Sequence, residues 1–233
     1  MATLATIRNY VKANIGLAQT AAGSEEVLVD EWANDAVVDV LQRTQCHVNC
    51  LDLELVADTW KYDLPTEILA IKEIYRDSDG EPCLPVTPEE IIDFRRSSVQ
   101  SGQDASRIRF AILGHNMLTI WPTPTTAAVL DVWYVPLPTV LSSGTHDLAT
   151  ATYGKIPRGA HQRAVELYVL AKAAEYANDK PSKNGQDYWA QYEMELKRAQ
   201  AIQNRLPGRL APARVGSRPQ RNEAANDVYP RGY

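Results

Sequence analysis

No proline precedes Pro65 in this chain of 233 residues, and cysteine occurs only three times, at Cys46, Cys50 and Cys83. An odd number of cysteines without a framework spacing excludes a disulfide scaffold and fits synthesis in a reducing cytosol. No apolar run reaches the roughly 18 residues that mark a membrane-spanning helix. The opening residues, Met1 to Arg8, lack a basic region leading into an apolar one, so no secretory leader is expected. Basic excess is missing too. With 24 Lys and Arg against 29 Asp and Glu, the net charge is −5, which argues against a general nucleic-acid binder. Gly-x-Ser-x-Gly, a glycine-rich phosphate loop and His-Glu-x-x-His are all absent, so the common signatures of enzymatic chemistry are not there. No catalysis and no cofactor are expected.

What the chain does have is an abrupt change of character after Arg205. Residues 206–233 hold Arg209, Arg214, Arg218, Arg221 and Arg231 against Glu223 and Asp227, five charges minus two, or +3. Since the whole chain is −5, residues 1–205 carry −8. The same stretch contains Pro207, Pro212, Pro219 and Pro230, and its aliphatic core formers are only Leu206, Leu210, Val215 and Val228. Such a segment cannot bury enough apolar surface to offset its own ordering entropy. A partner chain that orders it is the simplest role. A solvated tail and arginines that touch DNA phosphates are the alternatives.

Upstream, hydrophobic spacing divides the chain. Leu4, Ile7, Val11, Ile15 and Ala18 predict one helix. Gly23 followed by Ser24-Glu25-Glu26 predicts a stop and a new N-cap, after which Val29, Trp32, Ala36, Val37, Val40 and Leu41 form a second stripe. From Leu51 to Pro138 the period shortens towards two. Leu51, Leu53 and Leu55 alternate with acids; Ile68–Tyr75 precedes the turn Asp77–Gly80. A short helix is predicted behind Thr87. A hairpin is predicted across Gly114-His115-Asn116, and a strand with Leu130, Val132 and Tyr134 on one face. These four or five strands predict a single antiparallel sheet. Helical spacing resumes with Pro157 in the first turn, and Ala160, Ala164, Leu167, Ala171 and Ala174 form a small-residue stripe. A last helix from about Asn184 aligns Tyr188, Tyr192, Leu196, Ala199 and Ile202, and Arg205-Leu206-Pro207-Gly208 ends it.

The expected class is therefore α+β: a helical bundle with an inserted antiparallel β-sheet domain and an extended C-terminal tail. The boundaries are 1–49 for N-terminal helices, 50–156 for the β-rich insert, 157–205 for C-terminal helices and 206–233 for the tail.

Three features invite a chemical role. Cys46-His47-x-x-Cys50 has half a zinc site, which needs four ligands and would have to recruit Cys83 or a distant histidine; packing is the plainer role. Asp77-Ser78-Asp79-Gly80-Glu81 starts like a calcium loop but lacks the later ligands, so a surface turn is expected. His115 and His146 fall in turns or loops, and His47 and His161 near helix ends, where solvent or a cap satisfies an imidazole. The long polar loop Leu141–Gly154 is either a connector or a contact to a neighbour. Trp60, Trp121 and Trp133 are candidate intersubunit anchors, with core burial expected for the last two.

Leu64–Tyr75, then Phe110–Pro124 (Phe-Ala-Ile-Leu-Gly, a turn, and Ile-Trp-Pro-Thr-Pro), then Leu130–Pro136 and a helix near Ile156-Pro157 follow one another. In that order they resemble the head–tail adaptor, or connector, proteins of tailed bacteriophages. Asp104-Ala105-Ser106-Arg107 departs from the Gly-x-Pro-aromatic step that often precedes the hairpin in that family.

The resemblance implies a structural virion protein at the head–tail interface. It implies a ring of identical subunits, twelve in number, beneath the portal protein. It also implies a tail, nozzle or stopper protein on the distal face, and genomic DNA passing through the lumen without specific recognition. The terminal segment would then dock on the portal through Arg209, Arg214, Arg218, Arg221, Tyr229, Arg231 and Tyr233. Guanidinium groups suit bidentate pairing with carboxylates, and tyrosines suit anchoring. The alternative is a DNA-binding virion or packaging accessory protein that uses the basic tail.

Overall fold

Apolar residues at helical spacing build the first body of the protein in the computed structural model, which describes residues 3–15, 24–96, 107–114, 116–178 and 183–204. Helix α1 (Leu4–Ile15) buries Leu4, Ile7 and Val11, the stripe predicted from its spacing. Helix α2 (Ser24–Thr44) buries Val29, Ala33, Ala36, Val37, Val40 and Leu41. Helices α4 (Ala160–Asn178) and α5 (Lys183–Asn204) complete the group. Ala164, Leu167, Leu170, Tyr192 and Leu196 join the same core. Small side chains on α4 let its neighbours approach closely, and burial of each aliphatic residue contributes about 1.5–3 kcal/mol.

Polar contacts fix how these helices meet. Arg8 grips Asp30 with two nitrogens, Nε at 2.7 Å from Oδ1, while Lys12 meets Glu26 at 2.8 Å, tying α1 to α2. Arg163 on α4 donates to the Tyr10 hydroxyl at 2.7 Å. The Tyr192 hydroxyl on α5 donates to Asp39 on α2, and Arg43 reaches Glu193 through two bonds of 2.8 Å.

The second body contains seven strands among the described residues: β1 (Asn49–Leu55), β2 (Lys61–Asp63), β3 (Ile68–Arg76), β4 (Leu84–Pro85), β5 (Arg109–Leu113), β6 (Met117–Trp121) and β7 (Ala128–Pro136). They form two sheets rather than one, in the orders β1-β7-β3 and β2-β6-β5-β4. The second sheet is mixed, because β4 runs parallel to β5. A two-residue strand carries no alternation that a sequence could display. Pro85 is tolerated because the bonds to β5 come from its neighbours, Leu84 and Val86.

Alternation decides which side each strand buries. Leu55, Ile74, Leu130 and Val132 from the first sheet face Tyr62, Phe110, Leu118 and Ile120 from the second. The opposite side of the second sheet packs Ala111 and Trp121 under helix α3 (Pro88–Arg96), whose Ile91 is fully buried. The β-rich body is thus layered sheet, sheet, helix. Strand β7 joins the two bodies: its Val135 turns into the helical core, with Leu69 and Ala70 packing alongside.

Four details differ from expectation. Pro157 lies outside α4, which starts at Ala160 after Gly159 takes a φ of +90°. Ile202 is 45% exposed, because the helical core ends at Ala199. Trp133 is only half-buried and packs on none of the three cores, because its side of β7 is uncovered there. His47 and His161 are buried, with Nδ1 and Nε2 respectively lacking a hydrogen-bond partner, since each ring packs inward rather than towards solvent.

Candidate interaction surfaces

The residues with most chemical promise in the sequence do not converge. Cys46 is half-buried after α2 and Cys50 lies exposed on β1, whereas Cys83 is buried in the core between the sheets. Burial pushes all three thiols up. For Cys50, with Asp131 and Asp52 adding to burial, the thiol is pushed up to about 11, and for Cys83 to about 12. A reactive or metal-binding cysteine needs the opposite shift. Burial likewise lowers the pKa of His47 and His161, keeping both neutral. Among the described residues no three His, Cys, Asp or Glu side chains gather to hold a metal.

Other candidates serve the fold. Arg76 reaches Asp79 in the Asp77–Gly80 turn at 3.1 Å and Glu81 just after it at 3.2 Å, so both acids are already paired with arginine. Loop 141–154 folds back on its own chain. Leu141 and Leu148 enter the helical core, Leu4 N–H and Ala5 N–H donate to the carbonyls of His146 and Gly144, and His146 stacks on Tyr153 with centroids 4.2 Å apart. His115 lies outside the described residues, as do Arg209, Arg214, Arg218, Arg221, Tyr229, Arg231 and Tyr233.

What the fold assembles instead are two surfaces on the β-rich body. On β1, Leu51, Leu53 and Leu55 face inward, so Cys50, Asp52 and Glu54 face out and are exposed. Register places Cys50 beside Trp133, Asp52 beside Asp131 and Glu54 beside Val129. On the other flank of β7, Glu73 lies beside Trp133 and Tyr75 beside Asp131. The outer face of the first sheet therefore carries four carboxylates around a half-buried tryptophan.

The second surface gathers cations on aromatic rings. Arg95 stands 4.0 Å and Lys61 4.6 Å from the Trp60 ring, and Arg109 sits 4.6 Å from Phe94 and 5.3 Å from Trp121. Arg95 also donates to the Thr123 hydroxyl at 3.1 Å. Exposed Ile92, Arg95 and Arg96 share α3 with exposed Glu89, Glu90 and Asp93, so the solvent side of this helix carries both signs of charge. Sequence flagged Trp60 as an anchor, but the gathering around it depends on α3 crossing the second sheet. The alternating acids of β1 were visible in sequence; their alignment with Asp131 and Glu73 required the register.

Surfaces for contact accord with the comparisons. Residues 2–216 match the family of the SU10 adaptor protein, and the chain belongs to that family of bacteriophage head–tail adaptors, a structural virion component. The match takes in Arg209 and Arg214 and stops short of Arg218, Arg221, Tyr229, Arg231 and Tyr233. No curated protein matches the chain. No helix among the described residues is long and apolar enough to cross a membrane.

Proposed function

We propose that this adaptor forms a ring of identical subunits, twelve by family resemblance, beneath the portal, and that it continues the DNA channel from capsid vertex to tail without catalysing a reaction. One observation carries this conclusion: the family match runs through the helical and β-rich bodies and into the basic segment. In this proposal residues 1–49 and 157–205 form the bundle, 50–156 the insert, and 206–233 the portal-docking tail. Arg209, Arg214, Arg218, Arg221 and Arg231 pair with carboxylates of the portal, while Tyr229 and Tyr233 anchor. Single exposed pairs contribute only about 0.2–1 kcal/mol, so docking strength comes from repetition around the ring. A tail or stopper protein takes the distal face.

Mass photometry of the purified protein, alone and with the portal, tests both parts. Deleting residues 207–233 is expected to abolish docking and leave the body folded. Retained docking by the truncated chain would remove the tail from the mechanism. Steep, salt-sensitive DNA affinity, lost with the tail, would favour the accessory DNA-binding alternative.

A further inference from the structure

Three of the four sheet edges are blunted. Strand β2 has three residues and β4 two. Strand β3 carries two register shifts, and the segment after its turn covers its C-terminal half, with Cys83 N–H donating to Ile74 O at 2.8 Å. Strand β1 is the exception. It runs seven residues beside β7 without a shift and contains neither lysine nor proline. No described residue pairs with its other side. Every second residue of such a strand turns its N–H and C=O away from its neighbour, so an open edge is a template for one more strand. The edge is also incompletely covered: Leu55 is buried, but Leu51 and Leu53 on the same face are only half-buried.

We propose that, in the subunit free of the portal, residues 213–218 of the same chain lie along β1 as an added strand. Charge is the first reason for this occupant. β1 and β7 together hold Asp52, Glu54 and Asp131 and no lysine or arginine. Of the segments outside the described residues, only 205–233 contains arginine. The β1 edge of a second copy would instead set carboxylates against carboxylates.

Pattern is the second reason. Between Pro212 and Pro219 lie six residues that can all donate an N–H, from Ala213 to Arg218. Alternation puts Arg214 and Arg218 on one face of an extended segment and Ala213 and Val215 on the other. The register that sets Ala213 and Val215 beside Leu51 and Leu53 brings the arginines to the side of Asp52 and Glu54, whichever way the segment runs. Reach is the third reason. Gln200 Nε2 on α5 donates to Arg43 O at 3.0 Å, so the helix that leads into the segment ends beside the end of α2. From Thr44 to Asn49, where β1 begins, the chain spans about 17 Å at most, whereas residues 205–212 can span about 28 Å. A tether of that length keeps the local concentration at the edge high without any strong single contact. The edge then holds these arginines until an acidic partner competes for them, and is itself kept from pairing with another chain. The inference goes beyond portal docking and does not depend on it.

Hydrogen exchange of the full chain, resolved by residue and without portal, tests it. The alternate β1 amides that face away from β7 are expected to be protected in the wild-type chain, equally at low and high protein concentration. Val215→Pro removes a donor from the added strand. It is expected to speed their exchange by about ten-fold or more and to leave the amides of α2 unchanged. Asp52→Lys with Glu54→Lys should also speed it, and adding Arg214→Glu with Arg218→Glu should restore the protection. Exchange at open-edge rates in the wild-type chain, or protection that survives Val215→Pro, overturns the proposal. Protection that grows with protein concentration assigns the edge to a second copy and overturns it equally. A chain that shows the protection yet fails to bind the portal defeats the docking reading alone.

Discussion

Single positions show where backbone and burial leave no choice. Gly154 has a φ of +100°, and a Cβ there would lie 3.0 Å from Leu41 Cδ1 and 3.2 Å from Val37 Cγ1. Gly154→Ala is therefore expected to destabilise the protein by about 2 kcal/mol through strain and overlap, read as a lower midpoint in urea denaturation. Buried titratable groups give a second prediction. Burial pushes the Cys83 thiol from 9.0 to about 12, with Arg76 opposing and Glu81 and Asp79 adding; burial and the bond to Asp39 raise the Tyr192 phenol. Each native group holds a proton that the unfolded chain releases earlier. Their contribution is intact below the ordinary values and is lost as pH rises through the folded ones. Stability should therefore fall as pH rises from about 9 to 12. Cys83→Ala should flatten part of that fall even though it lowers stability at neutral pH. A decline of unaltered steepness in this variant would remove Cys83 from the account.

At the scale of elements, capping chemistry was legible and sheet pairing was not. Thr87 was named as the cap of a short helix from its place before Pro88-Glu89-Glu90. It accepts the Glu90 N–H at 3.3 Å, and Glu90 returns to accept the Thr87 N–H at 2.7 Å. Thr87→Ala is expected to cost about 1 kcal/mol, and hydrogen exchange should show faster amide turnover in the first turn of α3 than elsewhere in that body. The helix faces of α1, α2, α4 and most of α5 were likewise readable, since a 3.6-residue stripe is local information. Partner choice is not local. The existence of β5, β6 and β7 was legible, yet β7 pairs with β1 and β3, while β5 and β6 pair with β4 and β2. Nothing in the strands' own sequences states this. Trp133 was expected in the core for the same reason: alternation gives two faces, and only the packing of the bodies decides which is covered.

Across the whole molecule, charge is divided against itself. Residues 1–205 carry −8 and residues 206–233 carry +3. Twelve subunits at −5 each would give an assembled ring about −60, a field that repels DNA from a channel wall lined by acids. The basic segment is then useful only where it meets an acidic partner, and salt separates the two readings of it. Docking on a portal through arginine–carboxylate pairs weakens gradually as ions screen beyond about 8 Å. Binding to DNA instead releases condensed counterions, so log affinity falls with log salt by about 0.9 per phosphate neutralised, a steep loss for five arginines per chain. At about 150 mM salt, the assembled protein is expected to retain portal docking, with affinity reduced relative to low salt, and to show no measurable retention of duplex DNA in a mobility-shift assay. Arg209→Ala with Arg214→Ala should weaken docking, and Arg218→Ala with Arg221→Ala should extend the loss if residues beyond the family match also touch the portal. DNA retention that disappears with those same arginines would reverse the assignment, because a segment spent on phosphate is not available to hold the ring to the capsid.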